Sequence, residues 1–412
     1  MRQFGKDDVA RYLPAVNDAY ARISTLTALD SSRSVPAGFS PSDLCFWNAN
    51  NRYFHYPYAL HSVGLYNVST QIDNALTRSS KRERVLLGDS GGFQLGGNSQ
   101  PYGYKPLKAG LTAREAIATW HDAEELKDWI IGSLTGSCNM AMTIDVPLWA
   151  TDETRKDSAF NQCSVAELIK LNRSTLDYIE NVSVSQSDFR WLNVIQGLNK
   201  FTIDAWIDAV HEFRYGGWAL GGEAGVRGGI ESVIYTLKRL EALGGFNDGN
   251  TWIHVLGVGT TEWAVYLTEI QRCLRERYES INISFDNATP FSQAGRYESM
   301  ATPPNLTADK STWAIGFENA PQGQIYTDDS TAFSRHSTIG LDFSRAQLNV
   351  RSELYNPNKF DQVSHVVLAN HNVYVMLDAF ERANWLAEND AERLPAEIKA
   401  NIDMIRKSLT RT

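Results

Sequence analysis

Cysteine is scarce in this 412-residue chain, which has only Cys45, Cys138, Cys163 and Cys273. No two of them have the spacing of a metal-binding pair, and four are too few for the disulfide scaffold of a small secreted domain. We therefore expect reduced thiols and a cytoplasmic protein.

Long apolar runs are also missing. The amino terminus has no hydrophobic segment typical of a signal peptide, and no stretch approaches the roughly 20 apolar residues that cross a bilayer. We expect no membrane partner. The net charge of −9 argues against a basic coat over the whole surface, although it leaves a local basic groove open. Neither internal repeats nor low-complexity tracts occur, which favours one main domain.

From about residue 82, short apolar runs alternate with stretches of helical period. The runs are Val85–Leu87, Met140–Ile144, Leu192–Ile195, Trp218–Leu220, Ile253–Leu256 and Ile281–Phe285. The helical candidates between them cover residues 112–132, 164–182, 201–213, 229–243 and 261–278. This alternation predicts parallel strands joined by crossover helices.

Each run ends on a polar residue or on glycine: Asp89, Asp145, Gln196, Gly221–Gly222, Gly257–Gly259 and Asp286. Such residues beyond every strand indicate the active face of a (β/α)₈ TIM barrel. A doubly wound sheet would gather its ligands at one switch point instead. We therefore predict the barrel, an α/β fold, with two more strands from residues 43–75 or from beyond Asp286.

We expect three regions. Residues 1–80 form an N-terminal segment with the first barrel strands, and residues 81–362 form the catalytic barrel core. Residues 363–412 form C-terminal helices that pack on the barrel, because apolar residues from Val366 to Phe380 recur at helical spacing.

The segment Gly88-Asp89-Ser90-Gly91-Gly92-Phe93 resembles the nucleophile signature of trypsin-like proteases. That interpretation fails, because the protease histidine and aspartate precede the serine, and fewer than 90 residues lie upstream here. As a strand end, the segment instead puts Asp89 at the barrel mouth beside glycines and a flat ring, which suits a planar heterocycle. A capping aspartate in a turn is the plain structural alternative.

Asp286 ends the last apolar run. Taken alone, an aspartate in this position is more often a turn or helix-capping residue than a catalytic one. Two aspartates at one barrel mouth are a recurrent arrangement for acid, base or nucleophile chemistry. Asp89 and Asp286 together therefore make glycosyl chemistry a working hypothesis.

The ordered motifs resemble those of the tRNA-guanine transglycosylase superfamily, from about Val85 to Asp286. Asp89-Ser90-Gly91-Gly92-Phe93-Gln94 is similar to its Asp-Ser-Gly-Gly-Phe/Tyr-Gln, and Val194-Ile195-Gln196-Gly197 to its Gln-Gly strand end. Ala219–Glu223 resembles Ala-Val-Gly-Gly-Leu, Leu256–Thr260 resembles Met-Gly-Val-Gly, and Phe285-Asp286 resembles the strand end with the nucleophile.

The resemblance implies roles for these residues. Asp286 is the covalent nucleophile and Asp89 transfers the proton of the exchanged base. The expected base-binding residues are Phe93, Asp145, Gln196, Gly221, Gly222, Leu256 and Gly257. Phe93 and Leu256 hold the ring, and Asp145 reads the amide and amine edge shared by guanine and free 7-deazaguanines.

The chain departs from the tRNA enzymes after the nucleophile. Their zinc site needs three cysteines and a histidine, whereas no cysteine follows Cys273 here and His371 stands alone. We expect no zinc and no other cofactor, with His371 a core or capping residue. The chain thus resembles more closely the branch, in phages and bacterial DNA-modification clusters, that inserts 7-deazaguanines into DNA. We accordingly expect the protein in the cytoplasm, which is that of the host if the gene belongs to a phage. We also expect accessory DNA-modification proteins as partners.

Arg296 is the expected nucleic-acid backbone contact. Arg78, Lys81, Arg82 and Arg84 are weaker candidates because they precede a strand and so enter from the non-catalytic end. Three alternatives remain open: exchange in tRNA, a non-catalytic subunit, and a sugar hydrolase using the same two aspartates. Tyr53, Phe54 and Tyr56 fit core packing better than stacking on unpaired bases.

Overall fold

The computed structural model describes residues 2–5, 7–23, 25, 29–30, 32–97, 100–182, 188–247, 249–351 and 359–410. The strands in these ranges are β1 Arg2–Gln3, β2 Arg11–Val16, β3 Phe54–His55, β4 Tyr58–Ser62, β5 Val85–Asp89, β6 Met140–Met142, β7 Arg190–Ile195, β8 Gly217–Leu220, β9 Trp252–Val255, β10 Asn282–Asn287, β11 Ser299–Thr302 and β12 Gly316–Asn319.

The α-helices in the same ranges are α1 Asp18–Ile23, α2 Ala75–Arg78, α3 Gly92–Gly97, α4 Ala113–His121, α5 Glu124–Ser137, α6 Val165–Val182, α7 Lys200–Val210, α8 Gly229–Ala242, α9 Thr261–Arg275, α10 Thr289–Tyr297, α11 Thr338–Asp342, α12 Arg345–Leu348, α13 Gln362–Asn389 and α14 Ala396–Leu409. Among the described residues, no helix has the length and apolar composition needed to cross a membrane.

Eight of the described strands close into a parallel barrel in the order β10-β2-β4-β5-β6-β7-β8-β9. Helices follow most of its strands, so the α/β barrel expected from the alternating pattern is confirmed. Because the strands are parallel, their carboxyl ends meet at one face, and the residues beyond them gather around one mouth.

All six apolar runs form barrel strands, β5 to β10. One of the two extra strands, β4, lies in residues 43–75 as expected. The other expectation was wrong, because the barrel is completed by β2 near the amino terminus. Its sequence Arg-Tyr-Leu-Pro-Ala-Val contains Pro14, which removes a backbone donor and disguises the strand. The helix expected over 112–132 is divided into α4 and α5 around Asp122.

Two apolar layers hold the barrel together. Side chains inside it include Leu13, Leu60, Leu87, Met142 and Leu192, all buried. Outward side chains of the same strands pack beneath the helices in the larger core. This follows from the two-residue period of a strand, which sends neighbouring side chains to opposite faces.

Strands β9 and β10 break the apolar interior. Ile253, Val255, Ile283 and Phe285 belong to the outer core, so the alternate residues of both strands face inward. The inward residues are Trp252 and His254 on β9 and Ser284 and Asp286 on β10, with Ser284 paired in register with His254. A polar strip therefore runs up one side of the barrel interior to the mouth.

The C-terminal helices pack on the barrel side that bears Asp286. α13 contacts α9, α10 and β11, and α14 contacts α8 and α9. Buried Asn372 of α13 donates to the carbonyls of Pro290, at 3.1 Å, and Ser299, at 3.0 Å, and accepts from the Ala301 amide at 2.7 Å. One side chain thereby fixes the chain that leaves β10 and enters the antiparallel β11–β12 pair.

Candidate active site

Asp286 lies at the carboxyl end of β10, and its two carboxylate oxygens have different surroundings. Oδ1 accepts hydrogen bonds from the Gly257 amide at 2.9 Å and from Nε2 of His254 at 3.2 Å. Gly257 reaches this position with a φ of 74°, a conformation that glycine adopts without strain. Within the described residues Oδ2 makes no hydrogen bond, and the side chain is 14% exposed. One oxygen is held and the other is available.

His254 is completely buried beneath Asp286 and connects it to the barrel interior. Its Nδ1 lies 2.9 Å from Oγ of Ser284, which also accepts from Nε1 of Trp252 at 2.7 Å. We call Trp252, Ser284 and His254 the polar column. An indole nitrogen only donates, so the Ser284 hydroxyl is free to donate to Nδ1. Nε2 then carries the proton that faces Asp286.

Asp89 ends β5 beside Ser62 of β4, with which it pairs in register. Its Oδ1 accepts from the Gly91 amide at 3.0 Å. Burial raises the pKa of Asp89 and the nearby Asp286 charge raises it further, against the opposing hydrogen bonds from Gly91 and Ser62. A carboxyl with a raised pKa beside an available carboxylate oxygen is the arrangement that separates an acid from a nucleophile.

Asp145 and Gln196 form the neighbouring part of the site and are both buried. Nε2 of Gln196 donates to Oδ2 of Asp145 at 3.0 Å. Burial raises the pKa of Asp145 to about 7, and the charge of Asp89 adds to this shift while the Gln196 hydrogen bond opposes it. Asp145 is therefore a buried acceptor that loses its charge as the pH falls through about 7.

Glycines form the walls around Asp145 and Gln196. A Cβ on Gly221 would lie 3.0 Å from Nε2 of Gln196, and one on Gly222 would lie 2.9 Å from its Oε1. A Cβ on Gly92 would lie 2.7 Å from Oδ1 of Asp145. The distances at Gly92 and Gly222 are too short for real side chains and the one at Gly221 is unusually tight, so a side chain at any of these positions would displace Asp145 or Gln196.

Phe93 lies at the rim of the mouth and is 70% exposed. Its ring centroid is 5.6 Å from that of Trp149, over which the Arg155 guanidinium lies at 4.6 Å. Leu256, half-buried, packs against the apolar barrel interior. The mouth thus offers an open aromatic and cationic rim above a polar floor.

The structure brings most of the predicted residues together. Asp286 accepts from the Gly257 amide, and Gln196 donates to Asp145 and lies close to Gly221 and Gly222. The charge of Asp286 also raises the pKa of Asp89. Arg296 is not part of this group: it is exposed on the last turn of α10, with its guanidinium 5.3 Å from the Tyr297 ring.

Three of the four other predicted cations make contacts elsewhere. Buried Arg84 donates to the carbonyls of Leu76 and Ser137, and Lys81 donates to the Thr135 carbonyl. Arg78 pairs with Asp73, which leaves Arg82 exposed at the foot of β5. The buried rings of Tyr53, Phe54 and Tyr56 belong to the core, as expected.

His371 is a core residue of α13, as expected. Its Nδ1 lies 2.7 Å from Oγ of Ser337, which accepts from the Gly340 amide, and its Nε2 lies 3.0 Å from the Ala301 carbonyl. Burial lowers the pKa of His371 to about 4. Among the described residues, no group of three or more His, Cys, Asp or Glu side chains could hold a metal ion.

Sequence reasoning missed the polar column. The signal was present, since Trp252 and His254 alternate with apolar residues, as do Ser284 and Asp286. In a barrel strand buried on both faces such alternation places polar groups in the interior, where each needs a hydrogen-bond partner. No protein-family model matches this chain, and it has no significant match among curated proteins.

Proposed function

We propose that this protein is a transglycosylase that replaces guanine in DNA with a 7-deazaguanine of the 7-cyano type. The observation that carries the proposal is the meeting, at one barrel mouth, of Asp286 with one available oxygen, Asp89 with a raised pKa, and the Asp145–Gln196 floor. These are the three elements that base exchange requires: a nucleophile, a proton carrier and a reader of the base.

The first half-reaction breaks the glycosidic bond. Oδ2 of Asp286 attacks C1′ of the target nucleotide, and the electrons of the C1′–N9 bond leave on guanine. The Gly257 amide and His254 hold Oδ1 so that Oδ2 faces the sugar. Covalent catalysis divides one difficult displacement into two easier ones.

Asp89 carries the proton in both directions. Its raised pKa favours the protonated form that donates to the departing guanine. The resulting carboxylate takes the N9 proton of the incoming 7-deazaguanine. N9 then attacks C1′, the C1′–Oδ2 ester bond breaks, and both carboxyl groups return to their starting states.

The floor of the site matches the edge that guanine and 7-deazaguanines share. Ionised Asp145 accepts hydrogen bonds from the ring amide and the exocyclic amine. Gln196 and the Gly222 amide address the opposite carbonyl side, and glycine at positions 221 and 222 leaves the Gln196 side chain room beside the backbone. Phe93 and Leu256 cover the faces of the base.

The choice of DNA rests on the segment after Asp286. No cysteine follows Cys273, and Asn372 holds this segment through hydrogen bonds to the Pro290 and Ser299 carbonyls. The resemblance associates tRNA binding with a zinc-bearing subdomain at this place, so its replacement favours another polymer. Exchange in tRNA remains the competing function with the same pocket.

The test offers labelled guanine or 7-cyano-7-deazaguanine, in parallel, with duplex DNA, single-stranded DNA and tRNA. We expect label in DNA with the wild-type protein and none with Asp286→Ala. Asp403→Asn, an exposed substitution on α14, is the control for aspartate loss and should label as the wild type does.

The outcomes separate the hypotheses. Label in tRNA alone would overturn the DNA assignment and keep the chemistry. Release of free guanine without incorporation would indicate a hydrolase. If no polymer gains label even with extracts that supply accessory proteins, base exchange itself is wrong.

A further inference from the structure

The barrel interior is apolar on most strands, yet β9 and β10 fill their side of it with the polar column. Such groups cost stability unless each finds a partner, so their presence beneath Asp286 calls for an explanation. Trp252 and Ser284 are joined at 2.7 Å, Ser284 and His254 at 2.9 Å, and His254 and Asp286 at 3.2 Å.

The lower end of the polar column is anchored by Arg11, the first residue of β2. The Arg11 guanidinium lies 5.5 Å from the Trp252 ring centroid and also hydrogen-bonds to Asn282 of β10. Arg11 is itself buried, so the indole is fixed from below while its Nε1 donates upward. With a neutral His254 and an ionised Asp286, every link from Trp252 to Asp286 has one direction of donation, because an indole nitrogen only donates and a carboxylate only accepts.

We propose that the polar column is a positioning device for Asp286, with His254 as the residue that acts on it. This inference rests on the proposed function. By donating from Nε2 to Oδ1, His254 fixes the carboxylate rotation and leaves Oδ2 as the attacking oxygen. Ser284 sets the tautomer of His254 and thereby keeps the donor on the side of the nucleophile.

The chain contains its own matched control. His371 has the same arrangement, with Ser337 at its Nδ1 and an acceptor at its Nε2, but that acceptor is the Ala301 carbonyl. Both imidazoles are fully buried, so replacing either removes similar packing and a similar pair of hydrogen bonds. Only His254 contacts the nucleophile.

The experiment compares His254→Phe and His254→Gln with His371→Phe and His371→Gln, using kcat, KM for DNA and the melting temperature. We expect His254→Phe to lower kcat about 10- to 100-fold with KM within about two-fold, since a hydrogen bond to a charged group is lost. His254→Gln retains an N–H donor near Nε2 and should recover most of kcat. The His371 variants should melt lower and keep kcat.

Two results would overturn the inference: a His254→Phe protein as fast as the wild type, or a folded His254→Gln protein as slow as His254→Phe. A wild type that exchanges no base would instead refute the proposed function. In that case, ¹⁵N NMR of histidine-labelled protein still tests the column. The signal lost in His254→Gln must show the Nε2–H tautomer, and Ser284→Ala must change it; an Nδ1–H tautomer would contradict the column.

Discussion

At the scale of single residues, the buried carboxyl of Asp145 lowers the stability of the folded protein when it is ionised. Its pKa is raised from 3.8 to about 7, chiefly by burial. Between these values the folded state binds more protons than the unfolded state, so the stability contributed by this group falls as pH rises from about 4 to 7. Above pH 7 the carboxyl is ionised, and its burial lowers the free energy of unfolding by the full amount.

We therefore expect Asp145→Asn to stabilise the protein at pH 8 by up to about 4 kcal/mol, at about 1.4 kcal/mol per pKa unit. Asparagine keeps an oxygen for the Gln196 donor and removes the charge. Urea unfolding at pH 5 and pH 8 measures the difference, which should be small at pH 5. A variant less stable than the wild type at pH 8 would contradict the shifted pKa.

Base binding should show the opposite dependence on pH. Only the ionised form of Asp145 accepts both hydrogen bonds from the guanine edge, and with a pKa of about 7 roughly one tenth is ionised at pH 6. We expect the affinity for free guanine, measured calorimetrically, to be about ten-fold weaker at pH 6 than at pH 8. Asp145→Asn should bind weakly at both, and a wild-type affinity independent of pH would refute the role.

At the scale of elements, the loop from β9 to α9 packs directly against the end of β10. A Cβ on Gly259 would lie only 1.5 Å from Nδ2 of Asn287. Asn287 is held in place because its Oδ1 accepts from the Tyr12 hydroxyl at 2.7 Å and from the Thr289 amide at 3.2 Å. A side chain at Gly259 must therefore move Asn287, the residue that follows Asp286.

Gly259→Ala should lower the free energy of unfolding by about 1–3 kcal/mol, the usual cost of overpacking, and reduce the exchange rate at least ten-fold. Gly295→Ala on α10 is the matched control, because its Cβ would meet nothing within 4 Å. Removing a helical glycine there should raise stability by up to about 1 kcal/mol. Chemical denaturation and exchange rates measure both variants; equal behaviour of the two would contradict the packing argument.

The same elements show what sequence could predict. The strands β5 to β10 were recognisable because each is a short apolar run that ends at a polar residue or glycine, and these ends located Asp89, Asp145, Gln196 and Asp286. β2 was not recognisable, because Pro14 and a polar first residue hide its pattern. His254 was missed since its role depends on which neighbour Ser284 faces, and that register is set by strand pairing.

At the scale of the whole molecule, the proposed DNA substrate would have to meet a local cationic surface, because the net charge is −9. Exposed Arg155, Lys200 and Arg227 follow β6, β7 and β8, so they surround the mouth, whereas Arg82 precedes β5 and lies at the foot of the barrel. We therefore expect the loss of an arginine charge to have different effects on DNA binding at the two ends of the barrel.

Arg155→Gln should weaken DNA binding and reduce the slope of log affinity against log salt concentration by nearly one, as expected for one phosphate contact. Arg82→Gln removes the same charge from the opposite end and should leave the slope unchanged. Fluorescence anisotropy over a series of salt concentrations measures both. Equal losses in the two variants would indicate a diffuse charge effect and remove the argument for binding at the mouth.

The most direct test of the account is to identify the covalent intermediate. The protein is incubated with DNA without free base, quenched in denaturant, digested with nuclease and protease, and analysed by peptide mass spectrometry. We expect a deoxyribose ester on the peptide that contains Asp286, lost on addition of guanine and absent from Asp286→Asn but present in Asp403→Asn. An adduct on Asp89, or base exchange that proceeds in Asp286→Asn, would contradict the assignment of Asp286 as the nucleophile.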